Sequence, residues 1–385
     1  MRGSLKLFTW FGIPVHLHWT FGLIFLYAAW IGYENGLDLL GTVWLMGFFV
    51  ALFCCVLLHE YGHSLTARRY GVETKDIILT PIGGIARLER MPEKPIQEFL
   101  VAIAGPMVNV VIAVLLFFLS MLIFTGERWE FFQWFLQNQF SFSDGEDPSV
   151  VMEESGIKMS SLMFYLPVLV ATNVALVVFN MIPAFPMDGG RIFRALLAMR
   201  IGRVRATKWA SYLGQAIAVF FIVFGLWNNA FTLALIGFFV FTTARSENSM
   251  VQLDALLQRF TAKDLLRRNF TRLTVTDWMQ TPMELLRQGL ERHFLVFTLN
   301  DELLGALEED DIVAAMKRRD SSAEIAKYMQ KVELVHLNEP LQTIYYHFRQ
   351  RGNSIVGVVD GGELIGVIDE EGLQHFLRLQ ASGVA

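Results

Sequence analysis

The chain has 385 residues, 54% hydrophobic and only 18% charged, and a net charge of −5; a soluble domain carries roughly 25% charged residues. That balance offers no basic surface for nucleic acid, and two adjacent cysteines inside an apolar run, Cys54 and Cys55, exclude a disulfide framework. The charge deficit is local. Long apolar runs fill residues 1–245, a linker covers 246–260, and 261–385 has the charge-rich composition of a soluble domain.

In chain order, the opening "MRGSLKLFTWFGIPVHLHW" lacks the clean apolar core and small residues of a cleavable signal peptide. Six stretches are apolar enough to be expected as membrane spans: 17–34, 42–66, 99–124, 161–182, 208–227 and 230–244. Loop charge orients them. With the N-terminus in the cytoplasm, twelve lysines and arginines fall in the inner connections 67–97 and 183–208, and two in the outer ones. The expected location is therefore the cell membrane, with the soluble domain cytoplasmic. The outer segment 125–160 is acidic and aromatic, and Trp129, Phe131, Phe132, Trp134 and Phe135 predict a short interfacial helix.

The second span ends in "HEYGH". Four residues apart on a helix, His59 and His63 project from one face, the spacing at which two imidazoles hold one tetrahedral zinc. Glu60 lies beside the first ligand, placed to take a proton from water activated by the metal. Three ionisable groups in five residues follow a run from Val43 to Leu58 without a charge, and such groups at membrane depth are costly unless they function. For the third ligand, Asp188 in "NVALVVFNMIPAFPMDGGRIFRA" falls at the same depth; His16 and His18 are expected at the interface instead. Pro183 and Pro186 break the fourth span, and Gly189 and Gly190 are expected to let the backbone turn. Asn180, at the point of unwinding, either satisfies freed carbonyls or faces substrate.

HEYGH followed by "NMIPAFPMDGG" resembles the site-2 protease family of intramembrane zinc metalloproteases. The resemblance covers the membrane half. It implies one catalytic zinc on His59, His63 and Asp188, Glu60 as base, and Asn180 near the scissile bond. It further implies that "DIILTPIGGIARLE" forms a membrane-dipping β-hairpin whose edge, at Gly83 and Gly84, binds unwound substrate. "GPMVN", with Gly105, Pro106 and Asn109, recurs in the family and reads as a helix-packing element. Expected substrates are single-span membrane proteins in the lipid bilayer, whose cytoplasmic fragments serve as signals.

Residues 261–380 contain a repeat: "FLVFTLNDELLGALEEDDI" and "SIVGVVDGGELIGVIDEEGL", with Gly305 and Gly366 in register. Strand, turn, strand, helix in each copy resembles a tandem CBS pair. Such pairs often bind adenine nucleotides, but the corresponding positions here are Glu308 and Asp311, then Asp369 and Gly372. Only Asp311 fits, and the other carboxylates would repel a polyphosphate. Regulation through homodimerisation or substrate gating is the expectation. The predicted fold is a polytopic helical membrane domain of about six spans with a β-hairpin, followed by an α/β CBS pair. A rival reading is a CBS-gated transporter or channel with His59, Glu60, His63 and Asp188 as an ion path; it leaves the glutamate between the histidines unexplained.

Overall fold

The computed structural model describes residues 3–89, 92, 94–138, 155–158 and 161–381, and divides into two compact units, Met1–Ser249 and Met250–Ala385.

The first unit begins with strands, not with a span. β1 (Ser4–Trp10) and β2 (Ile13–His18) form an antiparallel hairpin turning at Phe11 and Gly12, both at positive φ. A 3₁₀ turn over Trp19–Phe21 leads into α1 (Gly22–Glu34), leaving it 13 residues. The first expected span is therefore too short to cross as a helix, because part of that apolar run is spent on strand and turn. α2 (Leu39–Arg68) starts on the Asp38 side chain, whose Oδ1 accepts the Gly41 N–H at 2.7 Å. Strands β3 (Thr74–Thr80) and β4 (Gly83–Leu88) make the expected hairpin. Then come α3 (Pro95–Ile123), α4 (Glu127–Asn138), α5 (Leu162–Asn180), α6 (Asp188–Ile201), α7 (Arg203–Trp227) and α8 (Phe231–Leu257).

Among the described residues, four helices (α2, α3, α5 and α7) are long and apolar enough to cross a bilayer. The sixth expected span opens α8, which continues unbroken into polar sequence. Side chains such as Leu115, Phe118, Leu122, Phe220 and Val223 lie exposed on α3 and α7, the surface expected of helices solvated by lipid.

The four strands form one sheet in the order β1-β2-β3-β4, with β2 parallel to β3. Its apolar face, including Ile13, Val15, Ile77 and Leu79, packs on Phe53, Leu57 and Tyr61 of α2. β4 is thereby left as an edge strand beside the second half of α2. The aromatic segment expected at the interface packs inward instead: Phe131 and Phe132 of α4 are buried against Phe124, Ile157 and Val170. Residues 139–154, 159 and 160 of that segment lie outside the described residues.

In the second unit each repeat forms a three-stranded sheet: β5 (Arg272–Thr274), β6 (Phe294–Phe297) and β7 (Leu303–Leu307), then β8 (Glu333–His336), β9 (Ile355–Asp360) and β10 (Glu363–Asp369). Helices α10 (Gln280–Arg287) and α11 (Glu309–Lys317) belong to the first copy, and α12 (Leu341–Arg351) and α13 (Glu370–Ala381) to the second; a four-residue helix, α9 (Ala262–Leu265), precedes both. β6 is buried on both faces. Phe294 and Val296 face a cluster with Met279, Ile312 and Ile325, while Leu295 and Phe297 meet Ile355 and Val367 of the second copy. This double burial explains why "FLVF" has no polar alternation.

Candidate metal centre

His59 and His63 lie on one face of α2, and Asp188 is the first residue of α6. The breaks at Pro183 and Pro186 bring that helix start back against α2. His59 Nε2 is 3.2 Å and His63 Nε2 3.1 Å from the same oxygen, Asp188 Oδ2, and the two Nε2 atoms are 3.1 Å apart. All three residues are buried, and they are the one group of three or more His, Cys, Asp or Glu residues spaced for a metal ion among those described.

The other ring nitrogens fix the chemistry. His59 Nδ1 is 2.6 Å from Asn109 Oδ1, and His63 Nδ1 is 2.7 Å from the Val101 carbonyl oxygen. Both partners accept only, so each Nδ1 carries the hydrogen and each Nε2 presents a lone pair. Two bare nitrogens and a carboxylate oxygen thus converge with no donor among them. One proton could serve a single pair; a cation serves all three. Tetrahedral zinc with bonds near 2.0–2.1 Å separates its ligand atoms by about 3.3 Å, so the donor set fits in kind and in spacing.

The backbone makes room for this meeting. A Cβ on Gly105 of α3 would lie 2.5 Å from Cε1 of His63 and 2.7 Å from Nε2 of His59, so only glycine lets α3 pass the site. Gly189 and Gly190 were expected to serve a turn. They lie instead inside the first turn of α6, where a Cβ would strike the backbone of Met181 and of Ala184. Their role is close packing of the returning chain, not left-handed geometry. Further along α6, Arg194 is 1% exposed; its Nε donates to Glu98 Oε1 of α3 at 2.7 Å, and its Nη1 pairs with Glu247 of α8. This ion network ties three helices together behind the site.

Glu60, the next residue along α2 after His59, reaches toward the sheet. Its Oε2 accepts the Ala86 N–H of β4 at 3.3 Å. A cavity of about 650 Å³ opens in front of it, lined by His59, Glu60, Gly83, Gly84 and Asn180 and walled by apolar residues including Phe49, Phe53 and Val56. From Phe49 to Glu60 it follows α2 for about 16 Å at 1.5 Å per residue. The structure therefore gathers His59, His63 and Asp188 at one point, and Glu60, Asn180, Gly83 and Gly84 around the adjoining cavity. His16 and His18 stay away: His16 Nδ1 is 3.3 Å from Asp76, and His18 Nδ1 is 2.6 Å from Thr20 Oγ1. In the second unit, Asp311 has structural partners; its Oδ2 accepts the Glu308 N–H and its Oδ1 the Gln330 side chain.

Asn109 was read from the sequence as packing, and Asn173 was passed over. Both are fully buried amides inside apolar spans. Their signal was present, since an amide at membrane depth needs a partner, but the sequence does not say which.

Two imidazoles and a carboxylate closing on one point inside a bundle of membrane-length helices define a membrane-embedded metal-site protein of the hydrolase type. The chain belongs to peptidase family M50, whose model matches residues 47–225. It is 30% identical over 373 residues to a zinc metalloprotease of Methanocaldococcus jannaschii, covering 96% of this chain and 95% of that one. A solved structure of a site-2 protease from the same organism matches at 32% identity and a TM-score of 0.42, over 64% of this chain and 95% of that one. A CBS domain pair solved with 5'-methylthioadenosine and S-adenosyl-L-methionine matches at 19% identity and a TM-score of 0.29, over 31% of this chain and 98% of that one.

Proposed function

We propose that the protein is an intramembrane zinc endopeptidase that cuts membrane-spanning segments. The observation that carries this reading is the convergence of three bare acceptor atoms, 3.1–3.2 Å apart, inside an apolar bundle. His59, His63 and Asp188 would hold one zinc ion. When bound, that ion supplies a Lewis acid for the peptide carbonyl and lowers the pKa of coordinated water toward neutrality.

The chain's own residues do the rest. Glu60 takes the proton of the attacking water and returns it to the departing amine. Asn180 offers its amide hydrogens to the carbonyl oxygen as negative charge develops there. A substrate helix shields its carbonyls with hydrogen bonds four residues along, so the segment opens before attack. The backbone edge of β4 at Gly83 and Gly84 gives the opened strand a pairing partner beside Glu60. Burial at this depth fits a substrate that is itself in the bilayer. The distribution of basic residues supports placing the N-terminus and the CBS pair in the cytoplasm of a cell whose surface membrane holds the enzyme. The CBS pair is read as regulatory, acting through association of two copies or through gating of substrate.

The test is cleavage of single-span model substrates by purified full-length protein in detergent, wild type against Glu60→Gln, with zinc counted per chain. The expected result is one zinc in both and a loss of about 10²–10⁴ in rate for the variant. Wild-type protein without zinc would overturn the ligand set; equal cleavage by the zinc-loaded variant would overturn the base.

A further inference from the structure

Behind His59 the polar contacts continue in a chain with a direction. Asn109 on α3 accepts from His59 through Oδ1 at 2.6 Å, and its Nδ2 donates to Asn173 Oδ1 on α5 at 2.9 Å. Asn173 Nδ2 in turn donates to the Leu169 carbonyl oxygen, one turn back on its own helix, also at 2.9 Å. Both amides have no exposed surface.

An amide side chain can be turned end for end, and its orientation follows from its partners. The Leu169 carbonyl oxygen only accepts. It therefore fixes the nitrogen end of Asn173, which leaves Oδ1 facing Asn109. That oxygen claims the nitrogen of Asn109, which leaves Asn109 Oδ1 facing His59. A hydrogen on Nδ1 is the only form of His59 that satisfies the chain, and that form bares Nε2. We propose that Asn109 and Asn173 are positioning residues for the metal site: a directed amide relay, anchored on a helix carbonyl, that holds His59 in its metal-ready tautomer. The inference rests on the zinc reading above but concerns a different set of residues.

The choice of amides has a physical reason. A histidine that binds a metal often passes its other hydrogen to a carboxylate. Here zinc, Asp188 and ionised Glu60 already sum to zero charge, and a third carboxylate inside the bundle would leave an unbalanced negative charge, which is expensive away from water. A neutral acceptor orients the ring without that cost, and the backbone carbonyl of Val101 does the same for His63.

The experiment is a double-mutant cycle on the full chain in detergent, reading zinc affinity by competition with a chelator and the His59 tautomer by nitrogen NMR. Asn109→Ala is expected to weaken zinc binding 10–100-fold, as loss of such an outer partner does elsewhere. Asn173→Ala is expected to weaken it several-fold, because Asn109 is then free to turn over. In an Asn109→Asp background the same Asn173→Ala change is expected to cost nothing further, since a carboxylate presents an acceptor either way round. Asn173→Asp, protonated to stay neutral in the bundle, donates its hydroxyl to the Leu169 carbonyl oxygen and keeps an acceptor for Asn109; it is expected to retain the affinity and guards against a variant that fails to fold. Wild-type affinity in Asn109→Ala, or an equal loss from Asn173→Ala in both backgrounds, would overturn the relay. Should the wild type hold no zinc, the proposed function fails, and the relay is judged on the tautomer alone: Nδ1–H in the wild type and a mixture in Asn109→Ala support it, and an unchanged spectrum refutes it.

Discussion

Replacing Gly105 by alanine adds one methyl group to a helix that contributes no proposed ligand, and it should empty the metal site. The new carbon would sit 2.5 Å from Cε1 of His63 and 2.7 Å from Nε2 of His59, against about 3.5 Å for an ordinary contact. Relief requires a displacement of about 1 Å, through separation of α2 and α3 or rotation of both rings. Metal ligands tolerate departures of about 0.2 Å, so the donor set is broken several times over. A loss of at least about 10³ in zinc affinity follows, or about 4 kcal/mol at 1.4 kcal/mol per decade. Overpacking should separately lower stability by about 1–3 kcal/mol. Zinc per chain after dialysis against a graded chelator measures the first, and thermal unfolding the second. Gly47→Ala on α2 is the control, since nothing lies within 4 Å of its added carbon. If Gly105→Ala keeps one zinc at wild-type affinity, the helix approach or the assignment of the ligand atoms is wrong.

Three further outcomes are expected. Arg194→Met strands Glu98, itself 2% exposed, and should cost about 3–5 kcal/mol in thermal unfolding, with part recovered in Arg194→Met/Glu98→Gln; a double variant no better than the single would contradict the pairing. The Arg87 guanidinium, through its hydrogen bonds and charge, holds the Asp76 carboxyl below the ordinary carboxylate range. A depressed folded value means that this stabilisation is present above about pH 4 and lost as pH falls below it. Asp76→Asn should therefore flatten the acid side of the stability profile, and an unchanged profile would refute the link. Gly366→Ala puts a carbon 2.5 Å from Leu266 Cδ1 and 2.6 Å from the Arg267 carbonyl oxygen; it should lower the denaturant midpoint of the full chain, by about 1–3 kcal/mol of stability, and a wild-type midpoint would show that the approach of the Arg267 carbonyl is not tight.

Much of the site could be read from spacing, because a helix converts four residues into one face. His59, Glu60 and His63 needed no tertiary information, and the proline-broken segment around Asp188 announced a chain that doubles back. The repeat was visible for a related reason. Gly305 and Gly366 recur because in each copy a backbone carbonyl, of Gln330 or of Arg267, crosses where a Cβ would stand. What stayed hidden depends on pairing between distant segments. β1 and β2 were absorbed into a lead-in because β2 finds its partner in β3 only beyond α1 and α2. The first span was overestimated because strand and helix share one apolar run, and hydropathy does not mark the change of period. Asn109 and Asn173 are polar residues in apolar helices, and sequence shows the anomaly without its geometry.

The parallel pairing of Val15, His16 and Leu17 with Ile77, Ile78 and Leu79 gives the N-terminal segment an unexpected importance. β2 braces β3, β3 carries β4, and the Ala86 amide of β4 steadies Glu60. Tyr61, one residue further along α2, donates its hydroxyl to the Trp10 carbonyl oxygen at the tip of the same hairpin. Residues 4–18 are thus part of the scaffold of Glu60, the proposed base. A bulky fusion on that strand, or its removal, is a change made at the proposed active site, and cleavage assays on tagged or shortened protein report on that damage as much as on substrate preference.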